Sequence, residues 1–408
     1  MSSPLRGATL CTVSTVRDTP TNVEHFVTAN LRAGVDHMFV FLDGEPDVEG
    51  REVERFLSDH PHVTVVRCDS RYWRGRAPGD LVERQLVNAN LVNWLLSAVE
   101  PVPWLAHIDG DECLEIDKDV LLGLPPTVET VRLAVLEAVS TEHGSRDVGL
   151  FKKKLMAEEL QPLVDRGLLE EPHNRFYLRG HVTGKVVVRP SLQLGMGIHR
   201  ATRRGGEELA PYRGPGFRLL HYDCVSADEF VRKWSTHVEG GATRFRAERN
   251  RVRVAVKSVL ADAALGPDGR AEQLRRIYKE HVEDDVEELG RLGVLVEPRP
   301  FRHQHEPAPF PPATADELRE LLTRLLDVDK GRFSQWAAAD ESLAVMREVS
   351  RALRRRRRAT AARIRAAVER AEAVVTEACA AAGQPGRDGF PLLPWVPPEP
   401  TLEPRTDQ

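Results

Sequence analysis

The sequence predicts an α/β fold, with a Rossmann-like sheet covered by helices and an added helical C-terminal region. Three observations carry this. From residue 8 to residue 67, short β-branched runs alternate with capped helical segments. Acidic residues fall at the carboxyl ends of those runs, at Asp18, Asp43 and Asp69, where ligands bind in open α/β sheets. After about residue 240 the strand patterns stop and charged, periodic helical segments take over.

Residues 8–16 are β-branched and apolar and form the first strand, with Arg17 and Asp18 at its end. Thr21-Asn22-Val23-Glu24 has the form of a capping box. It starts a helix to Arg32 that Gly34 closes. Residues 37–42 form a second strand ending at Asp43-Gly44. A helix around 48–58 leads to a third strand, Val63 to Arg67. Tyr72 to Gly79 is a polar loop over the site. Asp80 caps a helix over 81–99 that carries Gln85, Asn88 and Asn90, and Pro101 and Pro103 stop it. A strand over 104–108 follows, then another over 130–139, and Leu150 to Leu169 reads as helical. Residues 182–189 form a strand closed by Pro190. Residues 217–222 form one ending in His221-Tyr222-Asp223, and Ser226-Ala227-Asp228-Glu229 is a second capping box. Helical periodicity covers 242–264, 270–291, 314–327 and 337–382. Pro298 to Pro312 is a linker, and the tail from Gln384 is Pro-rich and expected to be disordered.

With 408 residues the chain has room for two domains, or one large domain with additions. An apolar fraction of 41% and a charged fraction of 29% fit a soluble globular protein. A net charge of −5 gives no whole-protein argument for nucleic acid. The five cysteines form no C-x-x-C pair, which argues against a zinc knuckle or a disulfide framework and for a reduced, cytoplasmic setting. The N-terminus does not read as a secretory signal. No apolar run approaches the roughly 20 residues that span a bilayer, so any membrane contact is expected to be peripheral. Arg354 to Arg358, followed by Arg363 and Arg365, is the segment for it; a solvated helix face is the other reading.

The chemistry centres on Trp104-Leu105-Ala106-His107-Ile108-Asp109-Gly110-Asp111-Glu112. The apolar half suits a central strand. The acidic half must lie at its end, because unpaired carboxylates are costly to bury. Asp109 and Asp111, held by a turn, can both direct oxygens to one hard cation such as Mg²⁺ or Mn²⁺. An ordinary acidic loop is the competing reading, and the D-x-D alone does not decide between them.

Several separated stretches resemble one family. They are Val16-Arg17-Asp18, Glu24 to Val40 followed by Asp43, Gln85 with Asn88 and Asn90, Trp104 to Leu114, Gly184-Lys185-Val186 with Arg189-Pro190, and His221-Tyr222 with Ser226, Glu229, Phe230, Lys233 and Trp234. In order and spacing they are similar to glycosyltransferases of the nucleotide-diphospho-sugar (GT-A) fold, in the family 2-like and family 92-like group. The chain departs from the family's usual Lys-Asn-Glu after the first strand, where it has Arg17-Asp18-Thr19.

The resemblance implies a catalytic domain over 1–240; the residues themselves put a helical region over 241–383 and a Pro-rich tail over 384–408. It implies transfer of a sugar, a hexose by expectation, from a nucleoside diphosphate donor, with a UDP-sugar favoured. Inversion is favoured over retention, and the acceptor is an unidentified glycan, lipid-linked or small molecule. A divalent cation bridging the two phosphates would stabilise the departing charge. Asp109, Asp111 and His221 are the implied ligands, with His199 a rival to His221. Arg17, Asp18, Asp43, Gln85, Asp109 and Lys185 are the implied donor contacts, and Lys233 can approach the phosphates. Glu137, Glu142, His143 and Asp147 are candidates for the base that inversion requires. Glu137 and Asp147 are the catalytic residues expected; Glu137 ends an apolar strand, where burial would raise its carboxyl pKa. A sugar nucleotidyltransferase would want a glycine-rich phosphate loop that Thr12 to Asn22 lacks. An aspartyl phosphatase usually carries its motif on the first strand. A non-catalytic carbohydrate-binding protein on the same fold stays open.

Overall fold

The computed structural model describes residues 8–45, 47–98, 102–203, 206–239, 247–298, 306–326 and 328–333, with scattered positions from 344 to 369. In chain order the elements are β1 (Leu10–Val16), α1 (Pro20–Arg32), β2 (His37–Asp43), α2 (Val48–Ser58), β3 (Val63–Cys68), α3 (Leu81–Ala98), β4 (Trp104–His107), β5 (Glu112–Ile116), α4 (Lys118–Gly123), β6 (Thr130–Ala138), β7 (Phe151–Lys153) and α5 (Ala157–Asp165). They continue with α6 (Asn174–Tyr177), β8 (Lys185–Val188), β9 (Gly195–Met196), β10 (Ala201–Thr202), β11 (Phe217–His221), α7 (Ala227–Glu239), α8 (Ala247–Ala261), α9 (Pro267–His281), α10 (Val286–Arg291), β12 (Leu295–Val296) and α11 (Pro312–Leu325).

The main sheet runs β12-β7-β6-β8-β4-β1-β2-β3, with β11 joining β6 and β5 to one side. β3, β2, β1 and β4 are parallel. β8 is antiparallel to both β4 and β6. The α/β class with a mixed, Rossmann-like sheet is therefore as expected. One core lies between α1, α2 and the sheet and holds Phe26, Val40 and Trp104. A second, on the opposite face, packs α3 and α11 through Leu91, Leu95 and Leu321. A third joins α7, α8 and α9 through Phe230, Val256 and Tyr278. Met1–Ser350 form one compact unit and Arg351–Gln408 a second. The described residues of the second unit are helical and include Arg355, Arg358, Arg363 and Arg365, all exposed. Arg354, Arg356, Arg357, most of 337–382 and the tail from 384 lie outside the described residues. Among the described residues no helix is long and apolar enough to cross a membrane.

Four local expectations are corrected. Thr19, not Thr21, caps α1, accepting from the Asn22 amide at 3.4 Å; Pro20 takes the first helical turn, where its missing N–H costs nothing. Residues 150–169 are not one helix. Phe151–Lys153 is a strand that places Lys152 opposite Glu137, and only Ala157–Asp165 is helical there. The segment 270–291 breaks between His281 and Val286, where the Asp285 side chain caps α10. A short strand, β12, occurs after residue 240 and pairs with β7.

Candidate active site

The turn between β4 and β5 brings Asp109 and Asp111 to the carboxyl edge of the parallel strands, where β1 and β2 also end. Gly110 packs closely beneath it; a Cβ there would lie 3.1 Å from the Val16 methyls. Glu112 opens β5 and is fully buried, and it also holds the turn. Its carboxylate accepts from the Asp109 amide at 2.7 Å and meets His181 Nε2 at 2.6 Å.

Two charged groupings flank this turn. In the first, Asp109 accepts from Gln85 Nε2 at 2.9 Å and from Lys185 Nζ at 2.8 Å. Lys185 is not an edge-strand charge. β8 lies inside the sheet, and Lys185 is fully buried, 3.6 Å from Glu112. Burial opposes its charge, but Asp109 and Glu112 outweigh that and hold the ammonium above its usual pKa.

The second grouping is Asp111, His221 and Asp223, whose ligating atoms all lie within 4.8 Å of one another. β11 aligns them: His221 pairs with Glu112 on β5 and with Glu137 on β6. Asp109 is not part of this group, and Asp223 stands where it was expected. Lys233 bridges the two carboxylates, 2.6 Å from Asp111 and 2.5 Å from Asp223, and Arg249 pairs with Asp223 at 3.2 Å. Burial would raise the Asp111 carboxyl, but Lys233 and then His221 pull it down to about 2. Burial would lower His221, but Glu137, Asp111 and Asp223 raise it to about 9. Gly180 leaves room for the His221 ring, which a Cβ there would overlap.

By donor type the set fits a hard divalent cation, with two carboxylates and an imidazole converging on one point. The Lys233 ammonium already lies between the carboxylates. A divalent cation would therefore take the place of that ammonium and of the His221 proton.

The remaining expected residues divide. Asp43 is held by Arg84 through two bonds of 2.8 Å. Asp18 pairs with Arg146 at 3.1 Å and Arg232 at 2.9 Å, tying the loop after β6 to α7. Arg17 is exposed beside Gly44 at the neighbouring strand end. Asn88 and Asn90 face structure rather than the crevice, bonding Thr15 Oγ1 and the Met196 backbone. Arg189 lies 3.9 Å over the Trp104 ring and caps backbone carbonyls near residue 125, away from the acidic turn. His199 Nδ1 meets the Gly184 carbonyl at 2.9 Å, and its ring lies 4.7 Å from His181.

Burial does not raise Glu137. It accepts from the Arg179 and Gly180 amides at 2.8 and 2.6 Å and pairs with Lys152 at 3.0 Å. Lys152 and His221 together overcome burial and hold it well below the usual carboxylate range. Asp147, Glu142 and His143 are exposed on the loop after β6. Sequence reasoning missed Arg84, Lys152, His181 and Asp223. Asp223 had a local signal, completing His221-Tyr222-Asp223, whereas His181 and Lys152 are recognised only once their strands are paired.

No family model matches the chain, and no curated protein matches it. Among solved structures it is similar to apo WbbM, a bifunctional glycosyltransferase, at 14% identity over 46% of this chain and 33% of that one, with a TM-score of 0.23. It is also similar to the mannosyltransferase PcManGT from Pyrobaculum calidifontis in complex with GDP-Man and Mn²⁺. That match has 11% identity over 84% of this chain and 88% of that one, with a TM-score of 0.29. The chain spans about a third of the length of WbbM. Likeness this distant carries no argument about activity, which rests on the geometry above.

Proposed function

We propose that the chain is a metal-dependent, inverting glycosyltransferase of the family 2-like and family 92-like group, working in a cytoplasmic setting. It would take its sugar from a nucleoside diphosphate donor, a UDP-sugar by the resemblance. The observation that carries this reading is the Asp111, His221 and Asp223 cluster at the carboxyl edge of the parallel strands. Asp111, His221 and Asp223 would hold Mn²⁺ or Mg²⁺, which when bound supplies positive charge to the leaving diphosphate. Arg17, Asp43 and Gln85 line the nucleotide side of the edge. Lys185, through Asp109, orients the turn.

In the transfer, an acceptor hydroxyl oxygen bonds to the anomeric carbon as the bond from that carbon to the diphosphate breaks. The diphosphate departs with the electron pair, and the hydroxyl proton passes to a carboxylate. Glu137 is spent on Lys152 and two amides. Glu142, His143 and Asp147 stay exposed on the loop after β6, and of these we assign Asp147 as the base, because it adjoins the Arg146 that pairs with Asp18 at the acidic edge. With a cation held by that cluster, Lys233 would be freed from Asp111 and could meet the phosphates.

The test is a thermal melt with Mn²⁺ together with UDP, GDP or dTDP. A metal-dependent rise with at least one nucleotide is expected, and Asp111→Ala should abolish it. No rise with any of the three would sink the donor-binding reading. Metal-dependent hydrolysis of a nucleotide-sugar panel then identifies the donor.

A further inference from the structure

A cavity of about 680 Å³ opens between the α5–α6 segment, α8 and the turn joining α9 to α10. That is within the usual size range of small-molecule sites and larger than a monosaccharide needs. Asp223 lines it and also belongs to the cation cluster, so the cavity reaches the point where transfer would occur.

Its lining is unevenly charged. Eight carboxylates face four guanidinium groups and one imidazole. Three of the arginines pair with carboxylates of the same lining, Arg179 with Asp284, Arg249 with Asp223 and Arg251 with Glu170, and Glu280 pairs with Arg276; among the described residues this leaves Glu171, Glu248, Glu283 and Asp285 with no ion-pair partner. Glu248 Oε2, by contrast, is closed off from solvent and has no hydrogen-bond partner. An oxygen left without a donor is costly, and since Glu248 lines the cavity, turning its carboxylate toward a cationic donor there would satisfy it. Phe176, Trp234 and Val252 add apolar surface against which the C–H faces of a sugar can lie.

We infer that this cavity is the acceptor site and that it takes an oligosaccharide bearing protonated amino groups among its hydroxyls. The inference rests on the transferase reading for the word acceptor. Phosphorylated or uronic-acid acceptors meet like charge and are rejected.

Titration calorimetry on the full chain at low ionic strength tests this with three probes, at a pH where sugar amines are protonated. They are a glucosamine trimer, its N-acetylated counterpart and trigalacturonate. The glucosamine trimer is expected to bind about tenfold or more tighter than the acetylated form, since charge-assisted hydrogen bonds are lost on acetylation. Trigalacturonate is expected to give no heat. Glu248→Gln and Glu171→Gln should each weaken the glucosamine trimer severalfold, with the unliganded melting temperature checking that each variant is folded. Equal binding of the first two probes, or tighter binding of trigalacturonate, overturns the assignment. The metal-dependent nucleotide shift of the wild-type chain judges the transferase reading separately. A shift without amino-sugar preference overturns the cavity assignment alone. A preference without the shift overturns the acceptor role and the transferase reading together.

Discussion

The two halves of the sheet are built on different principles. In β1 to β4 the buried positions are mostly apolar on both faces, with Val13, Phe39, Phe41 and Leu105 on one side and Leu10, Met38, Val40 and Ala106 on the other; the polar exceptions, such as Thr12, Ser14, His37 and His107, include no carboxylate, ammonium or guanidinium. In β5, β6, β7, β8 and β11 the interior carries Glu112, Glu137, Lys152, Lys185 and His221, each 5% exposed or less. The first half is held by burial, at roughly 25 cal/mol per Å² of apolar surface. The second is held by charges that compensate one another, and each ion is costly unless its partner stays. The second half thus gathers fixed charge at the candidate site, at some cost in stability.

That contrast is broken first, and most severely, by Lys152→Met. It strips the ammonium from Glu137 and Asp284, at 3.0 and 3.2 Å; Asp284 keeps Arg179, but the fully buried Glu137 loses its lysine. Urea unfolding should show a loss of about 3–5 kcal/mol. Adding Glu137→Gln, which keeps an acceptor for the Arg179 and Gly180 amides, should restore part of the loss. If the double variant is as unstable as the sum of the singles, the charges are not compensating one another and the contrast is wrong.

In the parallel half the matching perturbation is Leu105→Ala. Leu105 is fully buried on β4, pairing with Cys11 of β1. The variant creates a cavity with no unpaired charge, so a loss of about 2–5 kcal/mol is expected, with no partial rescue from any polar neighbour. Since Leu105 precedes the acidic turn, the metal-dependent nucleotide shift should survive wherever the variant remains folded. Its disappearance would mean that the two halves are not independent.

The same contrast explains what could be read from the residues alone. β-branched runs with capped helices between them announce parallel strands, and every element from Leu10 to Ala98 lies within a few residues of its expected place. Phe151–Lys153 was unreadable because three residues with two lysines carry no apolar alternation; they form a strand because Lys152 satisfies Glu137 across β6. The burial of Lys185 was unreadable because its partners, Asp109 and Glu112, lie about 75 positions earlier in the chain. Asp111 and His221 could be singled out from local pattern. The exchange of Asp109 for Asp223 beside them follows from the β5–β11 pairing, which no local pattern encodes.

The smallest effect sharpens the comparison at the rim of the apolar half. His37, at the start of β2, is buried with Nε2 against Thr64 Oγ1 at 2.8 Å. Burial first, then His62, pushes its pKa from 6.5 down to about 3. The folded chain thus refuses a proton that the unfolded chain binds below about pH 6.5. Stability is full above that pH and falls as pH drops toward 3, by at most about 1.4 kcal/mol per pH unit from this group. His37→Gln should flatten the fall in the urea midpoint between pH 6.5 and pH 4. It should not abolish it, because His107 and His199, each lowered to about 4 by burial, titrate in the same sense. An unchanged slope in the variant would show that His37 is protonated in the folded chain and that charge is tolerated in the apolar half after all.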